Sequence, residues 1–112
     1  MSVDCVALIL GRKGSKGLPR KNTMQVLGRP VSHYSVMAVL NAKYISDVFV
    51  STDDEKIKSD VKKFNPQVID RPKELCTDAA FFEDAVIHGY HEIIKRRNRK
   101  PDMVVILMCN VL

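Results

Sequence analysis

The order in which strand patterns and helix patterns follow one another constrains the fold of this chain most. Residues 3–10 and 102–108 are apolar runs without polar alternation, which is typical of strands buried on both faces of a sheet. Shorter strand patterns and helix patterns alternate between these two runs. The predicted strands are residues 3–10, 47–51, 67–70 and 102–108, and the predicted helices are residues 30–42, a helix that begins after a cap at Thr52 or Asp53 and continues to Phe64, and residues 79–97.

This β-α-β-α-β-α-β order predicts one domain with a mainly parallel sheet between two helical layers, a three-layer α/β/α fold. Right-handed crossovers and a reversal of the winding direction would place the strand at residues 3–10 in the centre. Ligands of such sheets bind at the carboxyl ends of the strands. The glycine-rich loop at residues 11–22 leaves the first strand at that end, so we expect a ligand site there.

Composition excludes several classes of protein. An apolar fraction of 46% argues against disorder, and no apolar run approaches the ~20 residues of a membrane span. The first residues lack the basic start and long apolar stretch of a signal peptide. Cys5, Cys76 and Cys109 are odd in number and widely spaced. They predict reduced thiols in a cytoplasmic protein rather than a disulfide framework or a zinc site.

The net charge of +5 is confined to one segment of the chain. Residues 1–30 carry six cations and one acid, whereas residues 31–112 carry twelve of each. A surface for nucleic acid would spread its charge more widely, so the cluster predicts a compact anion as ligand. The six cations are Arg12, Lys13, Lys16, Arg20, Lys21 and Arg29.

The loop reads G-R-K-G-S-K-G-L-P-R-K-N over residues 11–22. It matches neither the P-loop pattern nor the dinucleotide fingerprint, because its glycines are wrongly spaced and Lys16 is followed by glycine. Glycines that let backbone N–H groups approach phosphate oxygens, together with lysines and arginines, nevertheless favour phosphate binding. A solvated basic loop without a ligand is the alternative interpretation.

Four motifs in order resemble the cytidylyltransferases that activate 2-keto sugar acids. L-I-L-G-R-K-G-S-K-G-L-P-R-K-N resembles their N-terminal signature, and most closely that of the CMP-sialic acid (acylneuraminate) synthetases, with the CMP-Kdo synthetases as more distant relatives. The G-R-P turn at residues 28–30, V-S-T-D at residues 50–53 and R-P-K-E-L-C-T-D at residues 71–78 also resemble segments of that family.

The resemblance implies a Rossmann-like fold of the nucleotide-diphospho-sugar transferase type and the transfer of CMP from CTP to a sugar acid, with release of pyrophosphate. It implies that Arg12 and Lys21 contact the triphosphate as catalytic residues, and that Arg71 recognises cytosine. Asn22 would hold the base and ribose. The remaining nucleotide-binding residues that it implies are Leu10, Gly14, Ser15, Lys16 and Ala80. Taken alone, Arg71 would be interpreted as a surface charge and Asp53 as a helix cap.

Departures from the family pattern lie at the start of the last helix pattern and at the end of the last strand pattern. Phe81 and Phe82 stand where the family has small hydroxyl residues, and Met108 stands where it has a glutamine. The sugar-acid pocket, the dimerisation segment and the Mg²⁺-binding aspartates of the family lie downstream of the last strand. We therefore expect residues 1–112 to be the nucleotide-binding part of a truncated domain, from an enzyme that is a homodimer when complete.

Two other function classes stay open at this point. One is a non-catalytic module that binds a nucleotide or a partner, and the other is a nucleotidyltransferase of similar fold that activates a different sugar. His88 and His91 lack a third metal ligand, so a solvent-facing helix surface is expected there. The basic run at residues 95–100 suits a helix C-terminus without any ligand. No nucleic-acid or membrane partner is expected.

Overall fold

Six strands and three α-helices form the part of the chain that the computed structural model describes, which is residues 3–11, 25–75 and 82–108. Short 3-10 turns at Lys62–Phe64 and Lys73–Leu75 complete the regular structure. The strands are β1 (Cys5–Gly11), β2 (Gln25–Val26), β3 (Arg29–Pro30), β4 (Ile45–Thr52), β5 (Gln67–Asp70) and β6 (Met103–Met108), and the helices are α1 (Val31–Leu40), α2 (Glu55–Val61) and α3 (Phe82–Arg97).

Four of the strands form a parallel sheet in the order β5-β4-β1-β6. The fully buried strand β1 therefore lies between β4 and β6, as its unbroken apolar run predicts. The chain moves outward from β1 to β4 and β5 and then returns to the other side of β1. The predicted reversal of winding is thus confirmed, and it lies between β1 and β6.

The two faces of the sheet pack against different helices. One apolar cluster joins Ala7 and Ile9 of β1 to α1 and α2 through Val36, Ile57 and Val61. The other joins alternate residues of β1, Val6, Leu8 and Leu10, to Phe49 of β4, Ile69 of β5 and Ile93 of α3. Successive residues of a strand point to opposite faces, so β1 supplies both clusters. The three-layer α/β/α prediction is confirmed.

Element boundaries agree with the sequence patterns to within a few residues. The prediction for β5 matches at both ends, and β1, β4 and β6 differ from theirs by one or two residues. The predicted helix at residues 79–97 contains α3, although residues 79–81 lie outside the described part of the chain. None of the helices in the described ranges is long and apolar enough to cross a membrane.

A two-stranded ribbon precedes α1, where the sequence predicts only a turn. β2 pairs antiparallel with β3 across Leu27 and Gly28, both of which have positive φ angles, 53° and 80°. Such a turn is usually marked by Asn-Gly or Asp-Gly, so Leu-Gly carries little signal. As a result Pro30 ends β3 and α1 begins at Val31, one residue later than predicted.

The cap of α2 is Asp54, which corrects the prediction of Thr52 or Asp53. The Asp54 carboxylate accepts a hydrogen bond from the backbone N–H of Lys56 at 2.9 Å. β4 continues to Thr52, one residue beyond the predicted strand, and α2 therefore begins later than predicted. The Thr52 hydroxyl instead accepts a hydrogen bond from the backbone N–H of Asp54 at 3.0 Å, which fixes the turn between strand and helix.

Candidate functional site

The carboxyl ends of the four parallel strands align at one edge of the sheet. Gly11 of β1 lies beside Thr52 of β4, and Thr52 lies beside Asp70 of β5. Met108 of β6 lies beside Leu10. The segments that begin after residues 11, 52, 70 and 108 therefore all begin at this edge, which we call the carboxyl edge. Three of the four motifs of the resemblance include a residue at this edge, and the G-R-P turn is the one that does not.

Arg71 is the charged residue that the fold holds most firmly at the carboxyl edge. It follows β5 directly, and its backbone N–H donates to the carbonyl of Thr52 at 3.2 Å, which extends the β4–β5 ladder by one bond. Its side chain donates from Nη2 to the carbonyl of Ser51 at 3.2 Å and from Nε to the Ser51 hydroxyl at 3.4 Å. Arg71 is only 8% exposed, so the interpretation of this residue as a surface charge is wrong.

Asp70, the residue before Arg71, forms an ion pair between β5 and α2. Asp70 pairs with Lys58 of α2, and this carboxylate, together with that of Glu55, raises the pKa of Lys58 above its ordinary value. The charge of Asp70 is therefore offset by a lysine on the exposed side of the strand. Both hydrogen bonds from Arg71 to Ser51 reach neutral oxygens.

A second buried serine holds the end of β6. The hydroxyl of Ser35 on α1 donates to the carbonyl of Met108 at 2.7 Å, and Ser35 is 3% exposed. This bond ties the last residue of β6 to a helix that packs on the opposite face from α3. The point where the chain leaves β6 is thereby fixed relative to Leu10 of β1, its neighbour across the sheet.

Most of the predicted site residues fall outside the part of the chain that the structure describes. Leu10 and Arg71 are described. The Leu10 side chain is 2% exposed and packs in the apolar cluster between the sheet and α3, which we call the α3-side cluster. A nucleotide contact by Leu10 would therefore involve its backbone. The predicted site residues outside the described ranges are Arg12, Gly14, Ser15, Lys16, Lys21, Asn22 and Ala80.

Two further residues that the sequence singled out are described. Phe82 is the first residue of α3 and is 49% exposed, and Phe81 before it lies outside the described ranges. Arg29, the one described cation of the basic cluster, is exposed and donates to the sulfur of Met37 at 3.7 Å. The predicted concentration of positive charge therefore rests on the sequence of residues 12–21.

The described residues contain no group of three or more His, Cys, Asp or Glu side chains that could hold a metal ion. His91 is exposed and His88 is half-buried, and neither belongs to such a group. The described side chains thus do not fit the Mg²⁺ site that the resemblance implies, whose aspartates it places downstream. We therefore derive no step through that ion.

Sequence reasoning missed Ser51 and Ser35 as individual residues. Ser51 is part of the V-S-T-D motif, but nothing in that motif reveals a contact with a residue twenty positions later. Ser35 lies in a helix whose buried face also includes Ser32 and His33, so the helix shows no clear apolar stripe. The register between β4 and β5 brings Ser51 to Arg71, and the packing of α1 on the sheet brings Ser35 to Met108.

The fold places the chain in a known class of structures. It superimposes on the structure of CMP:2-keto-3-deoxy-manno-octonic acid synthetase complexed with CTP with a TM-score of 0.73 and 23% sequence identity. The superposition covers 95% of this chain and 40% of the other. At that identity the similarity shows the fold alone, a Rossmann-like α/β fold.

Sequence comparison is more specific. The cytidylyltransferase family model matches residues 6–96. The chain is 35% identical over 103 residues to the pseudaminic acid cytidylyltransferase of Campylobacter jejuni serotype O:2, and 32% identical over 89 residues to the N-acylneuraminate cytidylyltransferase of Escherichia coli O18:K1:H7. These alignments cover 91% and 80% of this chain but 44% and 21% of the relatives. The chain belongs to the cytidylyltransferase family, and it spans less than half the length of these relatives.

Proposed function

We propose that this chain supplies the CTP-binding part of an enzyme that transfers CMP from CTP to a 2-keto sugar acid. The observation that carries the proposal is the buried guanidinium of Arg71, oriented by Ser51 at the carboxyl edge of a cytidylyltransferase-family sheet. The names of the relatives support a sugar acid of the sialic or pseudaminic type as acceptor. The structural neighbour is complexed with CTP, which supports CTP as the nucleotide.

The proposed reaction is a substitution at the α-phosphorus of CTP. The anomeric hydroxyl oxygen of the sugar acid forms a bond to that phosphorus, and the bond from phosphorus to the oxygen that bridges to the β-phosphate breaks. Pyrophosphate leaves with the electron pair of that bond, and the proton of the hydroxyl passes to water. Such a reaction depends mainly on positioning and charge neutralisation, which are the tasks of basic residues and backbone N–H groups.

Arg71 supplies base recognition in this proposal. Cytosine presents two neighbouring acceptors, O2 and N3, to which a guanidinium can donate. Uracil presents a donor at N3, so a guanidinium held in the same place would face an N–H group and lose one of the two hydrogen bonds. A buried arginine whose orientation is fixed before the ligand arrives therefore favours CTP over UTP.

The loop residues take the remaining roles by their match to the family motif. Arg12 and Lys21 contact the triphosphate, Asn22 holds the base and ribose, and Gly14, Ser15 and Lys16 line the same loop. Leu10 and Ala80 contribute through their backbones. Six of the positive charges of the chain lie at residues 12–29, directly after the end of β1 and its Gly11, which is where a triphosphate would need them.

Three finer parts of the proposal rest on the family and the sequence alone. Mg²⁺ would accompany CTP. The complete enzyme would be a homodimer. The cytoplasmic location stays a prediction from the three widely spaced cysteines.

A thermal-shift titration tests the nucleotide. We expect CTP to raise the melting temperature of the chain more than UTP, ATP or GTP do at equal concentration, because binding to the folded state stabilises it. The titration is run with and without Mg²⁺. Equal shifts for all four nucleotides, or no shift, would contradict the cytidine-specific proposal.

Arg71 variants test the residue that carries the proposal. Arg71→Ala should weaken CTP binding by about 10- to 100-fold, the usual effect of losing hydrogen bonds from a charged group. It should weaken UTP binding far less, so the preference for CTP should shrink. Arg71→Lys is the matched control for charge, because it keeps the cation and loses the planar fork; it should restore little of the preference.

A non-catalytic nucleotide-binding module is the alternative, and an assay for pyrophosphate release distinguishes the two. The assay combines CTP, Mg²⁺ and a panel of 2-keto sugar acids with the longest polypeptide that contains this sequence. Release that depends on one acid supports the transferase. Tight CTP binding without release for any acid favours the module, and release that depends on a different class of sugar favours another nucleotidyltransferase.

A further inference from the structure

We propose that Ser51 is a positioning residue of Arg71 and that it strengthens the preference of the site for cytosine. The inference rests on the proposed function, because it takes a cytidine nucleotide as the ligand. Its basis is that one fully buried serine contacts two nitrogen atoms of the same guanidinium, Nε through its hydroxyl at 3.4 Å and Nη2 through its carbonyl at 3.2 Å.

These two contacts fix the orientation of the guanidinium plane as well as its location. A single hydrogen bond would leave the planar group free to rotate about the bond vector, whereas bonds at Nε and Nη2 hold one edge of the plane. The backbone N–H of Arg71 is bound separately to the carbonyl of Thr52 at 3.2 Å. The end of β4 therefore holds Arg71 at three points, two of which belong to Ser51.

Packing alone does not require a hydroxyl at position 51. Ser51 lies between Leu10 of β1 and Ile69 of β5 in the sheet register, and Phe49 lies two residues earlier on the same face. All three neighbours are fully or almost fully buried and belong to the α3-side apolar cluster. A buried hydroxyl in such a place is costly unless it is hydrogen-bonded, and the bond from Arg71 supplies that compensation.

The face that Ser51 shares with Arg71 is the one on which α3 packs. Ile69 and Arg71 are two residues apart and point to the same side of the extended chain after β5. Arg71 thus continues a row of buried residues at the point where the apolar cluster ends and the carboxyl edge begins. The Ser51 hydroxyl marks the boundary between the core and the proposed base site.

The experiment measures CTP, UTP and inorganic tripolyphosphate binding to the chain by calorimetry. Ser51→Ala should raise the dissociation constant of CTP about 5- to 30-fold, as expected for one misplaced charged donor, and should reduce the preference for CTP over UTP. Tripolyphosphate binding should change less than about twofold, because Ser51 does not contact the phosphate loop directly in this proposal.

Ser32→Ala is the matched control. Ser32 is also fully buried, and its hydroxyl has no hydrogen-bond partner within the described part of the chain. Its removal should alter none of the three affinities. If Ser51→Ala does not fold, Ser51→Cys keeps the volume of the side chain and supplies only a weak acceptor, so it should give the same order of effects.

A double-mutant cycle separates positioning from general stability. If Ser51 acts through Arg71, Ser51→Ala should have no further effect on CTP affinity in the Arg71→Ala background. Equal losses for CTP and tripolyphosphate, or a full additional loss in that background, would overturn the inference.

A spectroscopic readout keeps the inference distinct from the proposed function. The Nε–H resonance of Arg71 in the ligand-free chain should shift and exchange faster with water in Ser51→Ala than in Ser32→Ala. An unchanged resonance overturns the positioning role even if CTP binds. Failure of the unaltered chain to bind CTP overturns the proposed function and, with it, the cytosine preference assigned to Ser51.

Discussion

At Gly89, α3 packs closely against the buried side chain of Leu8 in β1. A Cβ atom at this position would lie 2.7 Å from a terminal methyl carbon of Leu8, which is fully buried in β1. That distance is well below van der Waals contact, so any side chain here forces Leu8 to move within a closely packed core. Glycine at this position lets the side chain of Leu8 keep its place between α3 and β1.

Gly89→Ala should destabilise the chain although alanine favours helix. The gain in helix propensity is about 1 kcal/mol, whereas overpacking of a core costs about 1–3 kcal/mol. We expect a net loss of about 1 kcal/mol in the free energy of unfolding, measured by urea denaturation. Because the clash involves Leu8, Leu8→Val should recover part of the loss in the double variant. Additive losses in the two single variants would argue against the contact.

Arg71 illustrates what sequence reasoning can and cannot reach at a single residue. Its place in an ordered series of motifs singled it out for base recognition. Its burial was not predictable, because it depends on the ladder between β4 and β5 that brings Ser51 within reach. A residue before a proline in an extended segment carries no local sign of such a partner.

At the scale of the element, α2 depends on its cap. Asp54 is 8% exposed, and its carboxylate accepts from the N–H of Lys56. Asp54→Ala should lower the free energy of unfolding by about 1 kcal/mol, because an N–H group at the helix start loses its acceptor. Asp54→Asn is the control, since asparagine caps about as well as aspartate. Equal losses for both, measured by chemical denaturation, would assign the effect to the charge.

The basic run at the end of α3 has specific structural partners. Arg97, whose side chain is 5% exposed, contacts Asp4 before β1 and Asp47 of β4 at 2.7 Å and 3.1 Å. Arg96 donates to the carbonyl of Val68 in β5 at 2.9 Å. These contacts add to any interaction of the run with the helix dipole. Two of its arginines attach α3 to β4, β5 and the residue that precedes β1.

The Asp4–Arg97 contact predicts a dependence of stability on pH. The hydrogen bond from Arg97 is the main cause that holds the pKa of Asp4 below its ordinary value of 3.8. As pH falls, the unfolded state therefore takes up the proton first, and the stabilisation is lost from about pH 4 downward. Asp4→Asn should melt at a lower temperature at pH 7 and lose less between pH 5 and pH 3. Parallel melting curves for the two proteins would contradict this.

Elements that alternate regularly were predictable, and the irregular ones were not. β5 was predicted at both ends because Asn65 and Pro66 separate it from the preceding helix and Pro72 follows it. The β2–β3 ribbon was missed because its turn places Leu27, a residue without turn preference, at a φ angle of 53°. The inward face of α1 was not predictable from apolar residues, because polar residues such as His33 are buried on it. The ring of His33 contacts the carbonyl of Asp60 and the ring of Phe64.

At the scale of the whole molecule, β6 is one of the two edge strands of the four-stranded sheet, and its outer edge pairs with no strand among the described residues. It contains no charged residue or proline, the devices that usually protect edge strands, and Met103, Ile106 and Met108 are exposed. The unbroken apolar pattern of residues 102–108 predicted a strand buried on both faces. In the structure, β6 is only partly buried, because every one of its residues is exposed or half-buried.

This edge predicts that the 112-residue chain associates with itself as its concentration rises. Ile106→Lys should suppress the association, because a lysine on an edge strand opposes pairing with another strand. Tyr44→Lys adds the same charge at an exposed position before β4 and should leave the association unchanged. Sedimentation velocity over a range of concentrations measures the effect. A chain that stays monomeric throughout would contradict the prediction.

The strand order has a consequence for how the chain acquires its structure during synthesis. β1 is made first, yet it is completed only when β6, separated from it by almost the whole chain, pairs with its second edge. Contacts so distant in sequence form slowly. Until β6 leaves the ribosome, the strand that becomes fully buried in the mature sheet offers an open edge to other nascent chains. The strand at the centre of the mature fold is therefore the one that stays unprotected while the rest of the sheet is made.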